Sequence, residues 1–267
     1  MSRLTIRTAA TIIAAMALLA IACGSWAQDA PVAQDAPKPH EAAGPLTAKL
    51  DPSGMIQLTR GAVELAMIEL NAHGAEWKHA PQATATAQAS TLPNGAGRRF
   101  VGTLPVPNTD GGAIRFTETI RPTPQGFRLE YDLGVTKAMK LDGLQLSLNL
   151  PVAAYAGKSV AIGQLQGEPQ GVTLPPEKQE KAEQTFQLWS GEGARVEVAK
   201  DTDASLTAEL RAPTDLVIQD LRKWGTNVFE IRFPAIMEDP GRDVAADDKF
   251  HLDLTITFAT PVKLEGP

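Results

Sequence analysis

The residues most suited to recognising a ligand are concentrated between positions 220 and 232, where charged side chains flank a tryptophan. A hairpin with a three-residue loop would pair opposite charges across two strands, Arg222 with Glu230 and Asp220 with Arg232. The indole of Trp224 would stand at the end of that face. Indoles stack on the apolar faces of sugar rings, and planar polar groups bind hydroxyls. The segment therefore predicts a carbohydrate site with Trp224 and Arg222 as ligand-binding residues.

A second interpretation of residues 220–232 is a ladder of exposed salt bridges on a solvated sheet face, with Trp224 closing one end of the fold. Exposed cross-strand ion pairs are frequent in soluble proteins and contribute little to stability. The two interpretations differ in whether the indole of Trp224 meets a ligand or the protein interior.

Glu118 is a candidate general acid because its neighbours on the same strand face are apolar. That face is shared with Ile114, Phe116 and Ile120 at alternate positions. Burial among such side chains raises the pKa of a carboxyl group, which suits proton donation. Solvation of the face, or an arginine partner, would remove that effect. A glycoside-processing enzyme needs two carboxyl groups in one cleft, so Glu230 and Asp220 are the other catalytic candidates.

Trp77 is the third candidate for ligand binding, and it lies in a loop-like stretch between two histidines, His73 and His79. The imidazoles and Glu76 could start a metal site, but their spacing specifies no third ligand, so no metal site is predicted. No phosphate-binding loop, dinucleotide fingerprint or G-x-S-x-G nucleophile elbow occurs in the sequence. We therefore predict no cofactor.

The first 27 residues have the pattern of a bacterial export signal. Arg3 and Arg7 precede an apolar run that ends near Cys23, and the Ser-Trp-Ala sequence at 25–27 forms a small-x-small cleavage site. The apolar run is too short for a stable membrane span. Cleavage after this site would release a periplasmic or extracellular protein.

Cys23 is the only cysteine in the chain, and it offers a second processing route. Residues 19–23, Leu-Ala-Ile-Ala-Cys, resemble a bacterial lipobox, in which the cysteine receives a lipid. In that alternative the protein is lipid-anchored to the cell envelope, and otherwise we predict no membrane contact. Under either route, the rest of the chain can form no disulfide and has no thiol nucleophile.

The charge balance argues against a nucleic-acid partner. The full chain has a formal net charge of −6, and loss of the two arginines in the signal makes it −8. An acidic protein repels the phosphate backbone, so nucleic-acid binding is not predicted.

Alternating hydrophobicity predicts an all-β fold. Apolar and polar residues alternate clearly in three runs, 127–135, 144–150 and 250–258. Turn residues separate such runs, and no core helix is predicted between them. We therefore predict a large antiparallel β-sandwich of jelly-roll or supersandwich type, with at most one short surface helix, at 176–184.

Composition divides the chain into three parts. Residues 1–27 form the signal peptide, residues 28–47 a disordered tether rich in Ala and Pro, and residues 48–267 a single β-sandwich domain. The tether contains too few large apolar side chains to offset the entropy lost on ordering.

These observations favour an exported β-sandwich protein that binds an extracellular or periplasmic carbohydrate without catalysis. At the level of fold, the predicted sandwich resembles the secreted jelly-roll and supersandwich proteins of bacterial polysaccharide metabolism. Two alternatives stay open. One is a carbohydrate-active hydrolase, lyase or epimerase on the same fold, and the other is a structural protein of the cell envelope.

Overall fold

The computed structural model describes residues 44–163, 168–179 and 186–267. The predicted signal peptide, the candidate lipidation site Cys23 and most of the predicted tether lie outside these ranges. Strand β1 (Leu46–Leu50) begins two residues before the predicted start of the domain, because Leu46 and Ala48 are buried in the core. Residues 46 and 47 therefore belong to the sheet and not to the tether.

The described residues form β-strands with one short α-helix, α1 (Val152–Tyr155). The first half of the chain contains β1, β2 (Ile56–Arg60), β3 (Val63–Gly74), β4 (Lys78–Pro81), β5 (Thr86–Thr91), β6 (Arg98–Pro105), β7 (Ala113–Thr123) and β8 (Gly126–Val135). The second half contains β9 (Met139–Pro151), β10 (Ser159–Gly163), β11 (Gln170–Thr173), β12 (Gln187–Val198), β13 (Leu206–Asp220), β14 (Val228–Val244), β15 (Lys249–Phe258) and β16 (Val262–Glu265). Short 3-10 turns occur at Ala75–Trp77, Gln82–Thr84, Pro93–Gly95 and Leu221–Trp224.

The strands pair into one large curled sheet in the order β16-β1-β2-β3-β9-β14-β13-β15-β8-β7-β6-β5. Strand β13 joins its two halves, because residues 217–220 pair with β14 and residues 206–210 pair with β15. Strand β4 extends the sheet from β3, and β10, β11 and β12 extend it from β13. The pairings are antiparallel except for β1 with β16. The all-β sandwich prediction is confirmed, with one parallel pair added.

The alternation in the sequence explains how the strands build the core. On β8, Phe127, Leu129 and Tyr131 are fully buried while the intervening residues are more exposed. On β15, Leu254 and Ile256 contribute to the same apolar cluster. Strand β9 differs from this half-buried pattern, because its polar positions are buried as well as its leucines. A buried polar strand face needs hydrogen-bond partners, and this face of β9 is therefore a candidate for a functional site.

The α-helix that the described residues contain, α1, is not the one predicted at 176–184. Helix α1 follows β9 directly, and its Tyr155 is buried, with the hydroxyl donating to the carbonyl oxygen of Ala204 (3.0 Å). In the segment predicted to be helical, residues 176–179 are not helical, and residues 180–184 lie outside the described ranges. No helix within the described ranges is long and apolar enough to cross a membrane.

Candidate functional site

One face of strands β3, β9, β13 and β14 carries polar side chains that are almost completely buried. These residues are Glu69, Asn71 and His73 on β3, Gln145, Ser147 and Asn149 on β9, Gln219 on β13, and Glu230 and Arg232 on β14. We call these nine residues the polar face. The intervening residues of the same strands, such as Leu146 and Phe233, point to the opposite side and enter the apolar core.

Strand register arranges the polar face in rows across the sheet. Glu69 lies opposite Ser147, and Ser147 lies opposite Arg232. In the neighbouring row, Asn149 lies opposite Glu230. Residues opposite each other on adjacent strands are about 5 Å apart, so side chains of one row can contact one another. The pairing thus assembles groups that are far apart in sequence.

A buried ion pair lies at the centre of the polar face. The Nε atom of Arg232 donates to Oε2 of Glu230 at 2.7 Å, and the hydroxyl of Ser147 donates to Oε1 at 2.6 Å. Both carboxylate oxygens of Glu230 therefore have a donor. Two charges can remain buried together because each compensates the other.

Glu69 is a carboxyl group that can change its protonation state near neutral pH. Burial raises the pKa of Glu69 to about 7, and the negative charge of Glu230 contributes to the increase. Hydrogen bonds from the side chains of Asn71 and Asn149 oppose this effect, the latter at 3.2 Å. At pH 7 the Glu69 side chain thus occurs in both its acid and its carboxylate form.

The two histidines beside this carboxyl are held neutral at pH 7. Burial lowers the pKa of His73 to about 3, and the charge of Arg232 adds to the effect. Burial also lowers the pKa of His79, which nevertheless has an exposed edge. Nε2 of His79 lies 2.7 Å from the side-chain oxygen of Asn71, so this nitrogen carries the hydrogen. Asn71 therefore links the imidazole of His79 to the carboxyl of Glu69.

Trp77 lies at the rim of the polar face. Its backbone N–H donates to Oδ2 of Asp142 at 2.8 Å, and its ring centroid is 5.4 Å from that of His73. The guanidinium carbon of Arg232 lies 6.0 Å from the indole centroid. A Cβ atom at Gly143 would lie 3.0 Å from Oε1 of Gln145, 3.0 Å from the ring of His73 and 3.4 Å from that of Trp77, so a larger residue there would require these neighbours to shift. The half-exposed indole is consistent with the prediction of a contact residue, but no ligand contact is shown.

Three buried amide oxygens of the polar face have no hydrogen-bond donor among the described residues. They are Oε1 of Gln145, Oδ1 of Asn149 and Oε1 of Gln219. Buried amide groups in folded proteins nearly always have a partner, and leaving one unpaired is costly. The polar face thus contains three acceptors for which the described residues supply no donor, and a ligand donor reaches them only when neighbouring side chains move. Within the described ranges, no group of three acidic, histidine or cysteine side chains could hold a metal ion.

The hairpin register predicted for residues 220–232 is wrong. Strand β13 ends at Asp220, which lies opposite Phe229, and Gln219 lies opposite Glu230. The Asp220 carboxylate accepts the backbone N–H of Arg222 at 3.1 Å and begins the 3-10 turn at 221–224, which lengthens the connection. The predicted pairs Arg222–Glu230 and Asp220–Arg232 therefore do not form.

Arg222 has a different set of partners. Its guanidinium binds the carboxylate of Asp220 and also donates to the carbonyl oxygens of Pro175, Pro176 and Glu177, at 2.8, 3.1 and 3.3 Å. These bonds tie the 175–177 segment to the end of β13. Because its donors are occupied in this way, Arg222 holds the 175–177 segment and the end of β13 together.

Trp224 neither closes the sandwich nor joins the polar face. The residue is 55% exposed, and its ring centroid lies 4.8 Å from that of Phe186 in an edge-to-face arrangement. The carbonyl oxygen of Phe186 accepts a hydrogen bond from the backbone N–H of Asp220. Asp220 alternates with Gln219 on β13 and so points to the opposite side of the sheet from the polar face.

Glu118 is fully buried on the core side of β7, where neither solvent nor an arginine contacts it. Gln82 donates to its Oε2 at 2.9 Å, and Tyr131 donates to Oε1 of Gln82 at 3.0 Å. Burial raises the pKa of Glu118 to about 8, which is the direction expected for a carboxyl among apolar neighbours. Glu118, Glu230 and Asp220 nevertheless make separate sets of contacts, and the structure does not bring the three carboxyl groups into one cleft.

Sequence reasoning singled out Trp77 and Glu230 from this site but missed the partners that surround them. His73 and His79 were considered only as metal ligands, and Glu69 was not considered for proton transfer. A signal was present, because polar residues alternate with apolar ones at 69–73 just as they do at 145–149. What was missing was the knowledge that β3 and β9 are neighbours.

The architecture is that of the galactose mutarotase-like β-sandwiches. A galactose mutarotase-like protein from Lactobacillus casei superposes with a TM-score of 0.51 at 11% identity, covering 80% of this chain and 97% of that chain. A galactose mutarotase related enzyme from Lactobacillus acidophilus gives 0.49 at 8% identity, covering 82% and 96%. A putative aldose 1-epimerase from Escherichia coli K12 gives 0.47 at 10%, covering 80% and 97%. At such identities the likeness shows the fold alone.

No protein-family model matches the sequence, and no curated protein matches it either. The function must therefore be argued from the residues of the polar face.

The buried carboxyl of Glu118 gives a testable pH dependence of stability. Its pKa is about 8 in the folded protein against an ordinary value of 4.5 for a glutamate side chain, so folding takes up a proton between these values. We expect this group to lower the free energy of unfolding by about 1.4 kcal/mol for each pH unit as the pH rises through that window. In Glu118→Gln this part of the slope should be absent.

Urea unfolding of both proteins from pH 5 to pH 8 measures the effect. The stability difference between Glu118→Gln and the unchanged protein should grow in favour of the variant as the pH rises. A constant difference would mean that Glu118 is ionised in the folded state. Glu209→Gln, at an exposed position of β13, serves as the control.

Proposed function

We propose that this protein binds a carbohydrate at the polar face, with Trp77 at the rim of the site. The observation that carries the proposal is the set of three buried amide oxygens without donors, beside the carboxyl of Glu69 and the guanidinium of Arg232. Sugar hydroxyls can donate to the amide oxygens and accept from the guanidinium. The combination of planar polar groups with an adjoining indole suits a pyranose ring.

The fold supports the same ligand class by analogy. The Lactobacillus casei structure is described as galactose mutarotase-like, and galactose is a pyranose sugar. Analogy of fold does not assign a function. The residues of the polar face support a ligand-binding role because buried acceptors without donors are costly to keep, and a bound ligand supplies donors.

Trp77→Ala and Trp224→Ala form a matched pair that tests the location of the site. We expect Trp77→Ala to weaken binding of a pyranose sugar by at least about tenfold, because it removes the stacking surface. Trp224→Ala should leave the affinity unchanged, since the ring contact of that exposed indole is with Phe186 and not with a residue of the polar face. Isothermal titration calorimetry with galactose, glucose and their oligosaccharides measures both, and the thermal midpoint reports any loss of folding.

The reverse result would contradict the proposed location. Loss of sugar binding in Trp224→Ala, with binding retained in Trp77→Ala, would return the site to the 220–232 segment. If no sugar in the panel binds the unchanged protein, the proposal of a carbohydrate site fails.

A second candidate function is the interconversion of sugar anomers, and the link between Glu69 and His79 favours it. A carboxyl with a pKa near 7 can supply a proton at neutral pH, and a neutral imidazole can accept one. In this reaction a base removes the proton of the anomeric hydroxyl while an acid protonates the ring oxygen. The bond from the anomeric carbon to the ring oxygen then breaks, and the open aldehyde can close to either anomer.

Glu69→Gln tests this candidate. We expect the variant to retain sugar binding but to lose acceleration of anomer interconversion, because an amide cannot donate the proton. In the unchanged protein the rate should fall as the pH rises through about 7, where Glu69 loses its proton. Polarimetry of freshly dissolved α-galactose measures the rate. Glu64→Gln, at an exposed position of the same strand, should behave like the unchanged protein.

If the unchanged protein does not accelerate the reaction above the rate in buffer, the catalytic candidate fails and binding alone remains. A rate that is lost equally in Glu69→Gln and Glu64→Gln would show that the effect is not specific to the polar face.

We also propose that the protein is exported and that its mature form begins at Gln28. Support comes from the two arginines, the apolar run and the Ser-Trp-Ala cleavage sequence in the first 27 residues. We expect intact mass spectrometry of the protein from a bacterial envelope fraction to give the mass of residues 28–267. A mass that begins at Cys23 with attached acyl chains would contradict this and establish a lipoprotein.

A further inference from the structure

A depression lies on the exposed face of β5, β6, β7, β8 and β15, and no residue of the polar face lines it. It is open to solvent and has a volume of about 830 Å³. Three residues at its centre are in register across adjacent strands, Arg115 on β7, Gly134 on β8 and Lys249 on β15. The depression is therefore built on a regular part of the sheet.

Gly134 creates a notch between two cations. A Cβ atom at this position would meet no other atom within 4 Å, so the space above the glycine is open. Arg115 and Lys249 stand on either side, about 10 Å apart at their Cα atoms because two strand spacings separate them. A carboxylate placed above Gly134 is within reach of both long side chains.

Two cations and two acidic side chains surround the notch. Lys249 has no ion-pair partner among the residues that the structure describes. Arg115 pairs with Asp247 at 2.9 Å, but both side chains are mostly exposed, so exchanging this partner costs little. Asp132, the acidic residue of the lining, lies 2.9 Å from Nδ1 of His251 and is exposed to solvent. A carboxylate above Gly134 can therefore replace Asp247 beside Arg115 and pair with Lys249 as well.

The rest of the lining provides hydroxyl groups. The row of Arg115 continues with Thr103 on β6 and then with Thr86 on β5, and Thr117 on β7 lies in the next row of the same face. Threonine hydroxyls both donate and accept hydrogen bonds, which matches the hydroxyls of a sugar ring. The lining thus combines one place for a carboxylate with several places for hydroxyls.

We propose that this depression is a second binding site, for a sugar that carries a carboxylate, that is, a uronate residue. The carboxylate lies between Arg115 and Lys249 above Gly134, and the hydroxyls of the ring face the threonines. The site is independent of the polar face and stands even if the polar face binds no sugar.

Gly134→Val is the variant that tests the proposal most directly. It fills the notch with a side chain that strands accept readily, and it removes no interaction of the folded protein. We expect it to weaken binding of galacturonate by at least about tenfold, and Lys249→Met to do the same by removing a charge. Gly171→Val is the matched control, because Gly171 is also a strand glycine with open space but lies on β11.

Titration calorimetry or ligand-observed NMR with galacturonate, galactose, acetate and inorganic phosphate gives the readout. The proposal requires that galacturonate bind more tightly than the three comparators and that Gly171→Val bind it normally. It is overturned if galacturonate does not bind, if acetate or phosphate binds equally well, or if Gly134→Val has no effect. Binding that Trp77→Ala abolishes and Gly134→Val spares would place the uronate on the polar face and would also overturn it.

Discussion

The buried ion pair between Glu230 and Arg232 is the interaction on which the polar face depends. Removing one member of such a pair leaves an uncompensated charge, and this typically costs about 3–5 kcal/mol. The pair also sets the charge environment of the site. Besides the larger effect of burial on each group, Glu230 raises the pKa of Glu69 and Arg232 lowers the pKa of His73. At His79 the two charges oppose each other, since Glu230 raises the pKa and Arg232 lowers it. A single interaction therefore stabilises the sheet and contributes to the pKa shifts of three titratable groups around it.

The stability of the sandwich and the chemistry of its polar face come from the same strands. Leu146 and Leu148 on β9 face the core, while the alternate residues Ser147 and Asn149 contact Glu230 and Glu69, respectively. Because side chains alternate along a strand, the packing that fixes the leucines also fixes the polar groups. A rigid strand is a more precise support for a binding group than a loop, which favours a preorganised site.

The 220–232 segment shows how one local hydrogen bond can change which residues lie opposite each other on two strands. Capping of the 3-10 turn by Asp220 lengthens the connection and shifts the register of β13 on β14 by an odd number of residues. Such a shift exchanges the two faces of a strand. Glu230 consequently faces Arg232 and Ser147 and not Arg222, and Trp224 is left on the other side. The charged residues of the hairpin were identified correctly, whereas their partners were not.

The sequence by itself determined that the protein is an all-β sandwich, because the period-two alternation in runs such as 127–135 and 250–258 is a local property of the chain. It also indicated that burial among apolar neighbours would raise the pKa of Glu118, whereas the structure decided that neither solvent nor an arginine contacts this carboxyl. Only the tertiary structure decided which polar positions would be buried together. Glu69, Ser147 and Glu230 come from strands separated by about 80 residues of sequence, and alternation within each strand carries no information about which strand becomes its neighbour. Strand order depends on the packing of the whole sheet, and it is this order that made a cluster out of separate polar residues.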